Sequence, residues 1–124
     1  MAKLNFLHIC ETAFLTKDSN NLNIIGIFDS VNTQGFPAVH PRFVIVANIT
    51  PEESGKHVVN VSIASGLKKI FEVNLPYDRP EKRIQIIQNF VNFSFPEEGV
   101  YNVQVSIDGQ ILGSSDLTIK KIYG

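Results

Sequence analysis

Apolar and polar residues alternate with a period of two along much of the chain, the signature of half-buried strands rather than of helices. The clearest stretch is Tyr101 to Asp108, where Tyr101, Val103, Val105 and Ile107 alternate with Asn102, Gln104, Ser106 and Asp108. It runs into Asp108-Gly109, which tolerates the positive φ of a type I′ turn. A return strand is therefore predicted through Gln110-Ile111-Leu112 and Leu117 to Lys120. Gly113-Ser114-Ser115 interrupts that strand and predicts a bulge or a close backbone approach. A second hairpin takes Val59, Val61 and Ile63 into a turn at Ser65-Gly66 and back through Phe71, Val73 and Leu75. Pro51-Glu52-Glu53-Ser54-Gly55 and Pro96-Glu97-Glu98-Gly99 precede these strands with one turn chemistry. That is reuse rather than duplication, because the strands that follow share a pattern but little sequence.

Phe43-Val44-Ile45-Val46-Ala47 is apolar on both faces, as a strand in mid-sheet with something packed on each side would be, and is too short for a buried helix. Leu22 to Phe28 reads similarly. It follows the turn-forming Asp18-Ser19-Asn20-Asn21 and pairs in prospect with Leu4 to Cys10 in an opening hairpin. Arg79 to Phe95 carries conflicting signals. Pro80 and Glu81 resemble a helix first turn and Ile84, Ile87 and Val91 have helical spacing, yet Val91, Phe93 and Phe95 alternate with Asn92 and Ser94. A strand from about Ile84 to Phe95 is expected, with a bulge between Ile86 and Ile87 that turns Ile84, Ile86 and Phe90 away from Val91 and Phe93. On an outer face those three would form an apolar interaction patch.

About eight strands result, with no alternating βα pattern. The expected fold is all-β, a two-sheet antiparallel β-sandwich of immunoglobulin-like or jelly-roll-like topology. The absence of Trp and the single cysteine exclude an antibody-type core, although Tyr101 shortly after Pro-Glu-Glu-Gly resembles the way immunoglobulin-like domains enter a late strand.

With 124 residues, one domain spanning 1–124 is expected, and 44% hydrophobic against 19% charged residues supports a core. Lys+Arg 11 against Asp+Glu 12 leaves a net charge of -1, so no field gathers phosphates and no nucleic-acid partner is expected. Lys68-Lys69 and Lys82-Arg83 read as solvated strand ends. The apolar runs are too short for a signal h-region or a membrane span, so a cytoplasmic protein without membrane contact is expected. The sequons at Asn48, Asn60 and Asn92 fall inside apparent strands and carry no weight.

Candidate chemistry is sparse. Cys10, the sole cysteine, permits neither an intrachain disulfide nor a cysteine zinc site and reads as a small core residue. His8, His40 and His57 lack metal-ligand spacing and read as structural or solvated. Ser114-Ser115 has no Gly-x-Ser-x-Gly elbow. Glu52/Glu53 and Glu97/Glu98 sit in turns, the aspartates occur singly and the glycines are dispersed, which removes acid/base pairs, calcium loops and phosphate loops from consideration. No catalytic residue, cofactor or metal site is assigned. The expected role is a non-catalytic binding or assembly module, acting on a protein partner or a second copy through Ile84, Ile86 and Phe90. The alternative is a small-ligand or carbohydrate binder using the 36–42 and 75–82 loops, where Phe36 and Tyr77 lie near Arg42, Asp78 and Arg79.

The segments Asn23-Ile24-Ile25-Gly26-Ile27-Phe28-Asp29, Phe36-Pro37-Ala38-Val39-His40-Pro41-Arg42-Phe43-Val44-Ile45-Val46 and Phe95-Pro96-Glu97-Glu98-Gly99-Val100-Tyr101, in that order, resemble a family of small bacterial all-β proteins of unknown function. The resemblance runs from about Leu4 to Ile119. It implies a stand-alone all-β domain and no activity, cofactor or functional residue.

Overall fold

The alternating Ile, Val and Phe positions sort into nine strands in a computed structural model that describes residues 2–53, 55–78 and 83–122, with no helix among them. They are β1 (Lys3–Leu15), β2 (Leu22–Ile27), β3 (Ser30–Thr33), β4 (Ala38–Thr50), β5 (Lys56–Ser65), β6 (Lys68–Asp78), β7 (Ile84–Phe95), β8 (Gly99–Ile107) and β9 (Gln110–Lys121). Two sheets stack, one ordered β2-β1-β4-β7 and the other β3-β9-β8-β5-β6. Every pairing is antiparallel except β3 with β9. The expected sandwich is correct. The ninth strand is β3, which Val31 alone marks as apolar in a run of polar residues.

The inner faces supply one continuous core. Ile45, Ala47, Ile49 and Ile86 of the four-stranded sheet meet Val61, Ile63, Val103, Val105 and Leu117 of the five-stranded one. Phe43 stacks on Phe90 with centroids 4.5 Å apart, and Phe71 from β6 closes edge-on against Phe90 at 4.7 Å. Such ring pairs add about 1 kcal/mol each beyond their area.

Two of the expected hairpins form as read, and the third forms with a different segment: β2 pairs with Cys10 to Leu15, whereas Leu4 to Cys10, the expected partner, pairs with β4. Asp108 (φ 48) and Gly109 (φ 83) make the positive-φ turn, Gly66 and Leu67 join β5 to β6, and residues 16–21 join β1 to β2. The irregularity in β9 falls at Ile111 to Gly113, because Val105 faces Gly113 while Ser106 faces Ile111. Gly113 is also a close approach, since a Cβ there would lie 2.6 Å from a methyl of Leu4. Tyr101 is buried with its hydroxyl donating to the Glu97 carbonyl at 2.6 Å while accepting from the Glu97 N–H at 3.2 Å. The corner before β8 is thereby tied to the strand it introduces.

Two strand expectations need correction. Leu22–Ile27 is an edge strand, not a doubly buried one, with Ile25 and Ile27 exposed. In β7 the change of parity lies at Val91-Asn92, not at Ile86-Ile87. Asn92 takes φ 51, and the position opposite it in the register is Pro41, which has no N–H to offer the ladder. Phe90 and Phe93 consequently lie on one side with centroids 5.2 Å apart while Val91 points outward at 72% exposure. Ile84, Ile86 and Phe90 do face away from Val91, but toward the core: all three are at most 5% exposed. The expected outer patch is therefore not a surface. From β7 only Ile87 joins the apolar cluster on the outer face, beside Cys10, Val44 and Val46.

Candidate functional site

The strand that opens the fold changes partners midway. β1 pairs with β4 from Lys3 to Cys10 and with β2 from Cys10 to Leu15, so the first part of β4, Ala38 to Phe43, keeps only β7 as a neighbour. A cleft of about 530 Å³ occupies the resulting gap. Its apolar floor is Phe28 and Val31, and β4 contributes His40, Pro41 and Arg42. Ser30 and Asn32 on β3 and Glu11 on β1 complete the lining. A smaller cavity of about 210 Å³ continues beside it along Thr33, Ala38 and Val39 and shares Asn32 and His40.

Local sequence explains how these groups reach the cleft. Gly26 (φ +75) leaves room for the Glu11 side chain to lie across β2, where a Cβ would sit 2.8 Å from the Glu11 carboxyl carbon. His40 precedes the Pro41 bend, and its ring packs 5.7 Å from both Phe28 and Phe43. Burial pushes the His40 pKa down, and the Glu11 carboxylate partly opposes that shift. Among the described residues, neither nitrogen of His40, nor the Glu11 carboxylate, nor the Arg42 guanidinium has a hydrogen-bond or ion-pair partner.

A second histidine, at the other end of the sandwich, is arranged in the opposite way. His57 on β5 is buried, with Nδ1 2.7 Å from the Asp108 carboxylate and Nε2 2.7 Å from the Glu53 carbonyl. Both partners only accept, so full satisfaction requires a proton on each nitrogen, and the ring is best served as imidazolium. The Asp108 hydrogen bond, then that to Glu53, raises the His57 pKa. Asp108 is held low by His57 and by the Val58 N–H at 2.9 Å. With both nitrogens engaged, this histidine clasps the β8–β9 turn to β5 and has no ring nitrogen left to bond a ligand.

The other sequence candidates scatter. Phe36 is half-buried against the core and Arg42 lines the cleft, but Tyr77 pairs opposite His57 and Asp78 opposite Lys56. β8 separates the two groups: Tyr101 at its start touches Phe95, which faces Ala38, while Asp108 just past its end binds His57. Nine extended residues put the ends roughly 30 Å apart, so residues 36–42 and the described part of the second segment, 75–78, do not form one site. Arg79 and residues 80–82, including the expected helical turn, lie outside the described residues. Cys10 is fully buried with its thiol pKa raised by burial, and no group of three His, Cys, Asp or Glu able to hold a metal occurs among the described residues. Among the described residues there is no helix long and apolar enough to cross a membrane.

Residues 5–120 match the model of a family described as "Family of unknown function (DUF6941)". The chain belongs to this family. The match covers the β1 to β9 framework and every cleft residue named above, and its description assigns no activity. No curated protein matches the sequence. Among solved structures the chain is similar to the Pseudomonas fluorescens alkylpurine DNA glycosylase AlkC bound to DNA containing an abasic site analog, with a TM-score of 0.53 and 13% identity. The likeness covers 96% of this chain but 30% of that one, and at such identity it concerns the fold alone.

Proposed function

We propose that this domain is a non-catalytic binding module and that the cleft between β1, β3 and β4 is its binding site. The observation that carries this reading is that Glu11, His40 and Arg42 line one concavity with an apolar floor, and among the described residues none of them has a hydrogen-bond or ion-pair partner. His57 with Asp108 and Lys69 with Glu72 show the alternative arrangement, in which such groups are paired internally. Ligand sites combine such an apolar floor with a few convergent polar groups, in volumes of about 300–1,000 Å³. Among the described residues no hydrogen bond joins the Ser30 hydroxyl to His40, which supports binding rather than catalysis. A net charge of -1 argues against nucleic acid, and the DNA in the glycosylase structure belongs to that protein. We read the sandwich as immunoglobulin-like rather than jelly-roll-like, supported by the parallel β3–β9 pairing and the Tyr101 corner.

The test is an NMR screen of the full chain against a fragment library containing carboxylates, amines and zwitterions. Hits should move the backbone signals of Ser30, Asn32, His40 and Arg42, and Arg42→Glu should abolish the carboxylate hits. A screen whose hits all fall outside the cleft, or that yields none, would overturn the reading.

A further inference from the structure

β3 has one paired edge and one free edge, and the free edge borders the cleft. In a strand only alternate residues present their N–H and C=O to a given neighbour. The Asp29 carbonyl accepts from the Thr118 N–H at 2.9 Å and the Thr33 carbonyl from the Ile122 N–H at 2.8 Å, so positions 29, 31 and 33 face β9. Ser30 and Asn32 therefore direct their backbone N–H and C=O away from β9, and both residues line the cleft. Across the gap, Ala38 to Arg42 pairs with β7 alone. Two open strand edges, one from each sheet, flank the same groove.

We infer that the occupant of this groove is an extended peptide segment of a partner protein, added as a strand along the free edge of β3. Its acidic side chain faces Arg42 and its basic side chain faces Glu11. The inference rests on the cleft reading above and goes beyond it by naming the ligand class. A free small molecule would satisfy Arg42 and Glu11 but not two backbone donor–acceptor pairs set two residues apart; an extended chain matches that spacing. The four residues of β3 span roughly 13 Å, the length of a four- or five-residue strand. The two adjoining cavities, about 530 and 210 Å³, give its inward side chains room. Charges of both signs in the lining, Glu11 on β1 and Arg42 on β4, select a mixed-charge segment.

The experiment selects heptapeptides from a random displayed library on the full chain, then titrates synthetic winners into the labelled protein. Selected sequences should carry one acidic and one basic residue and should shift the amides of Ser30 and Asn32. Methylating the peptide amides that pair with β3 should remove binding. Asn32→Pro deletes an N–H the protein does not use itself, at an edge position where proline is tolerated, so it should fold normally and weaken binding at least tenfold. Arg42→Glu should invert the charge preference. Enrichment of no peptide, shifts confined to other strands, or wild-type binding by Asn32→Pro would overturn the inference. So would a dimer of the chain alone that Asn32→Pro converts to monomer, because the groove would then hold a second copy. If zwitterionic fragments move His40 and Arg42 while no peptide binds, the cleft reading stands and the peptide inference falls; if neither binds, both fall.

Discussion

His57 and His40 sit at opposite ends of one sandwich. Both are largely removed from water, and burial alone lowers the pKa of each. At His57 two acceptors overcome that penalty and raise its pKa, favouring the charged ring, so the residue acts as a clasp between β5 and the β8–β9 turn. At His40 no acceptor bonds the ring, so it rests neutral against Phe28 and Phe43 with a carboxylate nearby. The same side chain thus reads as architecture where its partners are internal and as a binding element where they are missing. Partner inventory, not burial or residue type, separates the two ends.

The comparison presupposes that both ends hang on a shared core, which gives the largest predicted effect. Phe90→Asp would place a carboxylate among Phe43, Phe71 and Phe93, and a loss above about 4 kcal/mol is expected. Circular dichroism should report an unfolded or molten chain. A folded variant that merely lost self-association would restore Phe90 to an outer surface.

Asp108→Ala removes the partner of the His57 ring and of the Val58 N–H and places a Cβ residue without a capping side chain at φ 48. A cost of about 2–3 kcal/mol is expected in denaturant unfolding. Asp108→Asn keeps the turn and the Val58 bond and should cost less than half as much. Equal losses from both would mean that charge contributes everything at this end.

The pH dependence should carry opposite signs at the two ends. A raised His57 pKa means its stabilisation is complete below the unfolded value of about 6.5 and is lost as pH climbs through the folded value. The lowered Asp108 pKa keeps its part of the clasp intact above about 3.9, to be lost as pH falls through the folded value. A lowered His40 pKa does the reverse of His57: its neutral form is favoured above about 6.5, and stability falls as pH drops toward the folded value. His57→Gln should flatten the alkaline side of the stability profile and His40→Gln the acid side. Identical profiles for the two variants would erase the distinction.

Smallest of all should be the stability changes at the cleft. Glu11→Gln and Arg42→Ala remove groups that have no hydrogen-bond or ion-pair partner among the described residues, so thermal unfolding should move by no more than about 0.5 kcal/mol equivalent. A loss like that of Asp108→Ala would expose a structural role there.

The sandwich was legible because its hairpins are local. Asp108-Gly109 and Ser65-Gly66 state their turns in two residues, and Pro-Glu-Glu-Gly before Tyr101 announces a corner whose hydroxyl bond the structure supplies. The failures are non-local. The parity of β7 depends on Asn92 at positive φ opposite a proline fifty-one positions earlier, a coincidence visible only once β4 and β7 are aligned. β3 is four residues long and mostly polar, paired in parallel with the last strand, so no periodicity marks it. The cleft gathers Glu11, Ser30, Asn32 and Arg42 from three strands, and no spacing along the chain records that convergence. Only Arg42 was foreseen as a ligand contact. The His57–Asp108 pair, fifty-one residues apart, was hidden for the same reason, although Asp at the turn was itself apparent.

The most direct test follows both imidazoles of the full chain by ¹⁵N NMR through a pH titration. His57 should titrate above the free-histidine value of about 6.5 and show two slowly exchanging ring N–H protons, while His40 should titrate below it with neither ring nitrogen protected. The reverse order, or a protected and hydrogen-bonded His40, would contradict the division between an engaged end and an open one.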